Sequence, residues 1–261
     1  MSTVLELKSA VKRIDNGLNE TKLILNNVNL KISQGEFVTV LGGNGAGKST
    51  LFNSIAGTVS LSEGDLFING QNITTYSEEK RAKYLSRVFQ DPKMGTAPRM
   101  TVAENLLLAM YRGKRRGLRL RKLNEERALF TKKCSEVGNG LENHLDTPTG
   151  NLSGGQRQAL SLLMATLTKP DLLLLDEHTA ALDPKTSKQL MQLTDQRIKE
   201  GALTCLMITH RMEDALKYGN RLIVLQKGQI IKDLNKEEKE KLTLKDLLLF
   251  FEEETEEISI D

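Results

Sequence analysis

Residues 42–50 read Gly42-Gly43-Asn44-Gly45-Ala46-Gly47-Lys48-Ser49-Thr50, directly after the apolar run 36–41 (EFVTVL). An apolar run, a glycine-rich turn and a helix-forming stretch over 48–56 predict strand, loop and helix in that order. Glycines allow positive φ and aim successive N–H groups inward, where they can surround a phosphate that bulky side chains would exclude. The helix opening at Lys48 brings its positive dipole end to the same place, worth about 0.3–1 kcal/mol when exposed and more when buried. The spacing of Gly42, Gly47, Lys48 and Ser49 is that of a P-loop. Lys48 is expected to reach the β- and γ-phosphates of a nucleotide, and Ser49 to ligate Mg²⁺.

Outward from this loop, short apolar runs alternate with helical patterns, as in a mainly parallel sheet covered by helices. Four leucines at 172–175 follow Pro170-Asp171 and predict a second strand, and 203–209 predicts a third. Runs at 221–225 and 229–232, joined across Lys227-Gly228, read as a closing hairpin. The first seventy residues differ: 4–11, 23–32 and 65–69, with turns at Asn16-Gly17, Gln34-Gly35 and Asn69-Gly70, predict antiparallel strands beside the nucleotide strand. Between Gln90 and Ala165 the pattern turns helical, with Thr101 and Glu104 spelling a capping box ahead of 105–111 and an amphipathic stretch at 124–136.

The expected architecture is therefore α/β, a mainly parallel core sheet with an antiparallel β subdomain and an inserted helical subdomain. A domain over 1–235 divides into a nucleotide-binding core (1–90 and 166–235) and a helical segment (91–165), followed by a C-terminal helix and acidic tail at 236–261. In that tail Leu242, Leu244, Leu247, Leu248, Phe250 and Phe251 predict a docked helix, and 252–261 holds six acids and no base.

The 261 residues suffice for a substantial core. A net charge of +3, from 37 basic and 34 acidic side chains, gives no reason to expect a nucleic acid partner. No stretch approaches the ~18 consecutive apolar residues of a membrane span, and the N-terminus lacks the charged start and apolar core of a secretory signal. The expected location is the cytoplasm. Cys134 and Cys205 form no CxxC pattern, and Cys205 reads as a small core residue.

Two further stretches carry chemistry. Asp176-Glu177 ends the leucine strand, and ligands of open parallel sheets bind outside the carboxyl ends of strands. Asp176 is expected to hold Mg²⁺ through water and Glu177 to orient or deprotonate an attacking water. In Asn151-Leu152-Ser153-Gly154-Gly155-Gln156, Ser153 is a good N-cap for a helix over 157–167, and the two glycines leave the first backbone donors open, a second anion site. One nucleotide does not need two such cradles from one molecule, so the second invites a partner's nucleotide.

These residues resemble the nucleotide-binding subunits of ABC transporters along nearly the whole chain. Walker A falls at 42–50, the Q-loop glutamine at Gln90 in VFQDP, the signature at 152–156, and Walker B ends at Asp176-Glu177. The D-loop falls at Ala181-Leu182-Asp183 and the switch histidine at His210. The resemblance implies a P-loop ATPase using ATP and Mg²⁺. Lys48, Gln90, Glu177 and His210 would carry the chemistry, and Ser49, Gln90 and Asp176 would serve the metal. It further implies that two copies stack head to tail, each ATP lying between Walker A of one and the signature (Leu152, Ser153, Gly154, Gly155, Gln156) of the other, with Asp183 alongside. Two positions depart from the family: Ile14 stands where an aromatic side chain usually stacks on the base, and His178 stands where proline is common. Of three histidines only His210 fits a motif; His144 and His178 read as surface or structural.

The stretches QDPKMGTAPRMTVAENL, RGKRRGLRLRK and LLLLDEHTAALDPKT resemble a bacterial branch of importer subunits. Members work beneath a separate permease with an extracytoplasmic substrate-binding protein, often one for tryptophan or tyrosine. The resemblance thus implies a peripheral place on the cytoplasmic face of the membrane. The run 112–122, with seven Arg or Lys and no acid, reads as a solvated loop or as a contact to anionic lipid. A soluble ABC ATPase of iron–sulfur cluster assembly is the alternative, and an adjacent permease gene discriminates the two. ABC proteins of translation or DNA repair usually carry two cassettes or a long coiled-coil insertion, and the sequence shows neither.

Overall fold

Both edges of the strand that feeds the glycine loop are taken by parallel neighbours. β1 (Thr3–Asp15), β2 (Thr21–Ser33), β3 (Phe37–Leu41), helix α1 (Lys48–Ala56), β4 (Glu63–Ile68) and β5 (Gln71–Asn72) open the chain. The computed structural model describes residues 2–15, 21–114 and 122–256. It divides into two units, Met1–Ser77 with Thr204–Asp261, and Glu78–Leu203.

In the first unit β1, β2, β4 and β5 form an antiparallel sheet of their own, in the order β2-β1-β4-β5. The sequence placed these strands beside the nucleotide strand; the structure keeps them out of its sheet. The reason is burial. All five residues of β3 are buried, whereas β1 and β2 mix buried with exposed positions, as strands with one solvated face do. The turn at Gln34-Gly35 is present, with Gly35 at φ 80, as is that at Asn69-Gly70; Asn16-Gly17 lies outside the described residues.

The second unit holds α2 (Glu78–Arg81), β6 (Leu85–Val88), α3 (Val102–Met110), α4 (Leu123–Ser135), α5 (Gly154–Leu167), β7 (Leu172–Asp176) and α6 (Pro184–Gly201). β6 and β7 run parallel, with Leu85 opposite Leu172 and Val88 opposite Leu175. Thr101 caps α3 in the predicted box with Glu104. Phe130 and Cys134 bury one side of α4. Arg112, the first residue of the basic run, is not part of a solvated strip. Its guanidinium donates to Ala165 O at 3.2 Å and Thr168 O at 2.7 Å, satisfying carbonyls at the end of α5. Residues 115–121 of that run lie outside the described residues.

The chain returns to the first unit with β8 (Cys205–Ile208), α7 (Met212–Lys217), β9 (Arg221–Gln226), β10 (Gln229–Leu234), α8 (Lys236–Glu240) and α9 (Leu244–Glu256). β3 pairs in parallel with β8 on one edge and β9 on the other, and β10 closes the predicted hairpin antiparallel to β9. β8 is shorter than the 203–209 run because Leu203 N still donates to Ile198 O of α6. The docked C-terminal helix is present. Leu247 is fully buried with Leu41, Ala215 and Leu222, and Leu242, Phe250 and Phe251 pack around them. Burying Leu247 contributes about 1.5–3 kcal/mol. Cys205 is buried as expected, and burial pushes its thiol well above the usual range. Residues 257–261 of the acidic end lie outside the described residues.

Candidate functional site

In the first unit the glycine loop is held from behind. Gly47 caps α1 at φ 101 with no side-chain cap, so the first N–H groups of the helix face the loop. Lys48 folds back over it, Nζ donating to Gly42 O at 2.7 Å and Gly43 O at 2.9 Å. Lys48 is nine-tenths buried, so its ammonium is held where an anion would gain most from it. The sequence assigned the glycines to phosphate access. The structure gives two of them another reason: a Cβ on Gly42 would meet Leu225 O at 2.4 Å, and one on Gly47 would meet Ile24 O at 2.8 Å. Gly45, at φ 79, faces open space.

One supporting residue escaped the sequence reading. Gly228, in the β9–β10 turn, donates its N–H to Ala46 O at 3.0 Å and accepts from Asn26 N at 2.9 Å. The hairpin thus buttresses the glycine loop, and the signal in the sequence was the Lys227-Gly228 turn. His210 lies just past β8 and is exposed. Because β8 and β3 are parallel, with Ile208 opposite Val40, Gly42 and His210 leave the same end of adjacent strands, the ligand end of such sheets. Ile14, 45% exposed, sits near the far end of β1.

In the second unit, Asp176 ends β7 and Gln90 follows β6 by two residues, so parallel pairing brings both to one end. Glu177 has φ 44. A left-handed glutamate costs of order 1–3 kcal/mol and persists where its surroundings impose it, as at catalytic turns. His178 is buried, and its Nε2 lies 3.0 Å from Thr194 Oγ1. That hydroxyl already donates to Leu190 O at 2.8 Å, so the imidazole is the donor and its Nε2 carries the proton. Burial lowers its pKa to about 4, which keeps the ring neutral. His178 is therefore structural, as its lack of a motif implied, and so is His144, whose Nδ1 lies 3.3 Å from Thr147 Oγ1.

The second anion cradle is built more tightly than its sequence told. α5 starts at Gly154, not at Arg157. Ser153 Oγ accepts the Gln156 N–H at 3.2 Å and Gln156 Oε1 accepts the Ser153 N–H at 3.2 Å, so the reciprocal cap draws both glycines into the first turn. Arg157 fixes the approach to this turn, its guanidinium donating to Thr149 O (2.9 Å), Gly150 O (2.8 Å) and Leu152 O (3.2 Å). Gln158 Nε2 donates to Phe89 O at 2.9 Å and ties α5 to the residue before Gln90. A cavity of about 610 Å³ opens here, lined among others by Ser153, Gly154, Gly155, Gln156, Leu182 and Asp183. Asp183 caps α6, accepting from the N–H groups of Lys185 and Thr186, both at 3.1 Å. Hydrogen bonds from the Thr186 side chain and backbone hold its carboxyl below the usual range.

Compared with known proteins, residues 25–180 match the ABC transporter family model, a span that includes the glycine loop, Gln90, the signature and Asp176-Glu177. The chain belongs to the ABC transporter family. It is an ATP-binding subunit of that family and an ATP-hydrolysing transport enzyme, with the α/β fold of ABC cassettes. Over 253 residues it is 45% identical to a tyrosine transport ATP-binding protein of Clostridioides difficile (strain R20291), covering 95% of this chain and 99% of that one. It is 34% identical to the phosphonates import ATP-binding protein PhnC 2 of Oceanobacillus iheyensis, over 88% of this chain and 90% of the relative. Among solved structures it resembles the dimeric post-hydrolysis state of the ATP-binding cassette MJ0796 bound to ADP and Pi. The TM-score is 0.75 at 30% identity, over 89% of this chain and 98% of the other. Among the described residues, no helix of this ABC subunit is long and apolar enough to cross a membrane.

Proposed function

We propose that this ABC subunit powers a bacterial importer as a head-to-tail homodimer lying against the cytoplasmic ends of separate permease subunits. The observation that supports the dimer is the presence in one chain of two glycine-bearing helix starts suited to an anion, Gly47 with α1 and Ser153 with α5. A triphosphate held by residues 42–50 of one copy leaves the second cradle for the nucleotide of the other. A solved relative being a dimer with ADP and Pi supports the same reading. Lys48 then neutralises the β- and γ-phosphates, Glu177 orients the attacking water as general base, and His210 steadies the γ-phosphate. Gln90 reports on the site to the permease, and Asp183 lines the cavity beside the signature.

Mg²⁺ suits the chemistry of the proposed donors: the Ser49 hydroxyl and the Gln90 amide oxygen are hard oxygen ligands, the Asp176 carboxylate would hold the ion through water, and Mg²⁺ usually keeps several waters alongside substrate phosphates. When bound it would neutralise charge on the transferring phosphoryl group. The transported molecule in this proposal is an aromatic amino acid delivered by an extracytoplasmic binding protein, supported by the relative named for tyrosine transport.

The test is Glu177→Gln. That variant should bind ATP, sediment as an ATP-dependent dimer and lose at least a hundredfold in turnover. A strictly monomeric, ATP-bound variant, or one with wild-type turnover, overturns the reading. Uptake of labelled tyrosine by vesicles carrying this subunit with the permease and binding protein it co-purifies with, abolished by the same substitution, tests the substrate.

A further inference from the structure

Arg87 sits on β6 within the run Leu85-Ser86-Arg87-Val88, whose other three residues are buried. A cation there needs a reason, because moving a guanidinium out of water is costly unless it is paired. One partner is Asp176: Arg87 Nη2 lies 2.5 Å from Asp176 Oδ2, with the side chains only 13% and 16% exposed. The guanidinium also lies over the Phe89 ring, 4.7 Å from its centroid, a stacking that fixes the planar group and leaves little freedom to swing away. Arg87 therefore faces the carboxylate at the end of β7 and packs on the residue directly before Gln90. This arrangement is local to the second unit and involves one position assigned above to the metal, Asp176, and the chain neighbour of another, Gln90.

We infer that Arg87 is a positioning residue, an internal counter-ion that holds the Asp176 carboxylate and thereby sets the Mg²⁺ concentration at which the nucleotide site loads. The inference rests on Asp176 serving the metal. The argument is electrostatic. A carboxylate paired at 2.5 Å with a mostly buried guanidinium offers a dication less net charge than an unpaired one, and the two cations repel across a poorly screened distance. Arg87 thus weakens metal capture while keeping the carboxylate aimed, so the site favours the metal that arrives with a triphosphate over free metal.

The experiment compares wild type, Arg87→Met, Arg87→Gln, Arg87→Lys and Asp176→Asn in full-length protein. Binding of a fluorescent ATP analogue is titrated with Mg²⁺, and binding of Mn²⁺ alone is followed by electron paramagnetic resonance. Arg87→Met and Arg87→Gln should lower the Mg²⁺ midpoint and the Mn²⁺ dissociation constant by about tenfold, whereas Arg87→Lys, which keeps the charge, should stay within about threefold of wild type. A midpoint unchanged or raised in whichever of the two neutral variants folds overturns the inference, since a purely structural arginine would alter thermal stability without tightening the metal. Asp176→Asn separates the two levels. If it leaves the metal midpoint unchanged, the metal role of Asp176 fails and the inference with it. If it weakens the metal while the neutral variants do not tighten it, only the role of Arg87 fails.

Discussion

The backbone N–H of Gly228 donates to the carbonyl oxygen of Ala46 at 3.0 Å, so a hairpin turn near the end of the chain clamps the phosphate loop near its beginning. Gly228 has φ 77, and a Cβ on it would meet Ile24 O at 2.4 Å. Gly228→Ala should therefore cost about 2–3 kcal/mol in unfolding free energy, from strain and clash together, and should weaken ATP binding at least severalfold. Gly45→Ala carries the strain without the clash and should cost about 1 kcal/mol. Chemical denaturation and nucleotide titration of the two variants check the order; equal costs would show that the clamp does not constrain the loop.

Lys48→Ala removes the ammonium that bridges Gly42 O and Gly43 O. Hydrogen bonds from charged groups contribute about 1.5–3 kcal/mol, and here the group is also expected to meet phosphate. ATP affinity should fall by ten- to a hundredfold. Calorimetric titration giving wild-type affinity would exclude Lys48 from the nucleotide.

Ser153→Arg places a bulky cation in the cavity beside the second cradle and breaks the reciprocal cap with Gln156. Loss of the cap costs about 1 kcal/mol. Nucleotide binding by a single copy should be preserved and hydrolysis lost. A variant that still hydrolyses ATP would argue against a site shared between copies.

His178 links stability to pH. Its pKa is lowered to about 4 in the folded chain by burial, against about 6.5 when unfolded. Between those values the unfolded chain binds the extra proton, so stability rises with pH and is lost as pH falls from about 6.5 toward 4. From pH 7 to pH 5 this single group should remove about 2 kcal/mol. In His178→Gln that part of the acid-side decline should vanish, whatever the variant's stability at pH 7. Denaturation curves at both pH values decide it, and parallel declines in the two proteins would refute it.

Much of the site was legible because its chemistry demands local sequence order. The glycine loop, Ser153 with Gln156, and Asp176-Glu177 each depend on residues adjacent in the chain, and a strand, turn or cap imposes that adjacency. What escaped were partners brought in from elsewhere. Gly228, Arg87 and Thr194 each support a recognised residue through a contact set by strand pairing or helix packing, and no local pattern links them to the residue they support. α5 begins ahead of the expected 157–167 because the Ser153–Gln156 cap outweighs the low helix propensity of Gly154 and Gly155.

The sequence by itself determined the family and the α/β fold class, since period, caps and glycine positions are properties of neighbouring residues. The tertiary structure alone decided which two strands flank β3, and which side chains stand behind the candidate site residues. Burial and long-range pairing choose among strand partners and counter-ions that look alike along the chain, and those choices exist only once the chain has packed.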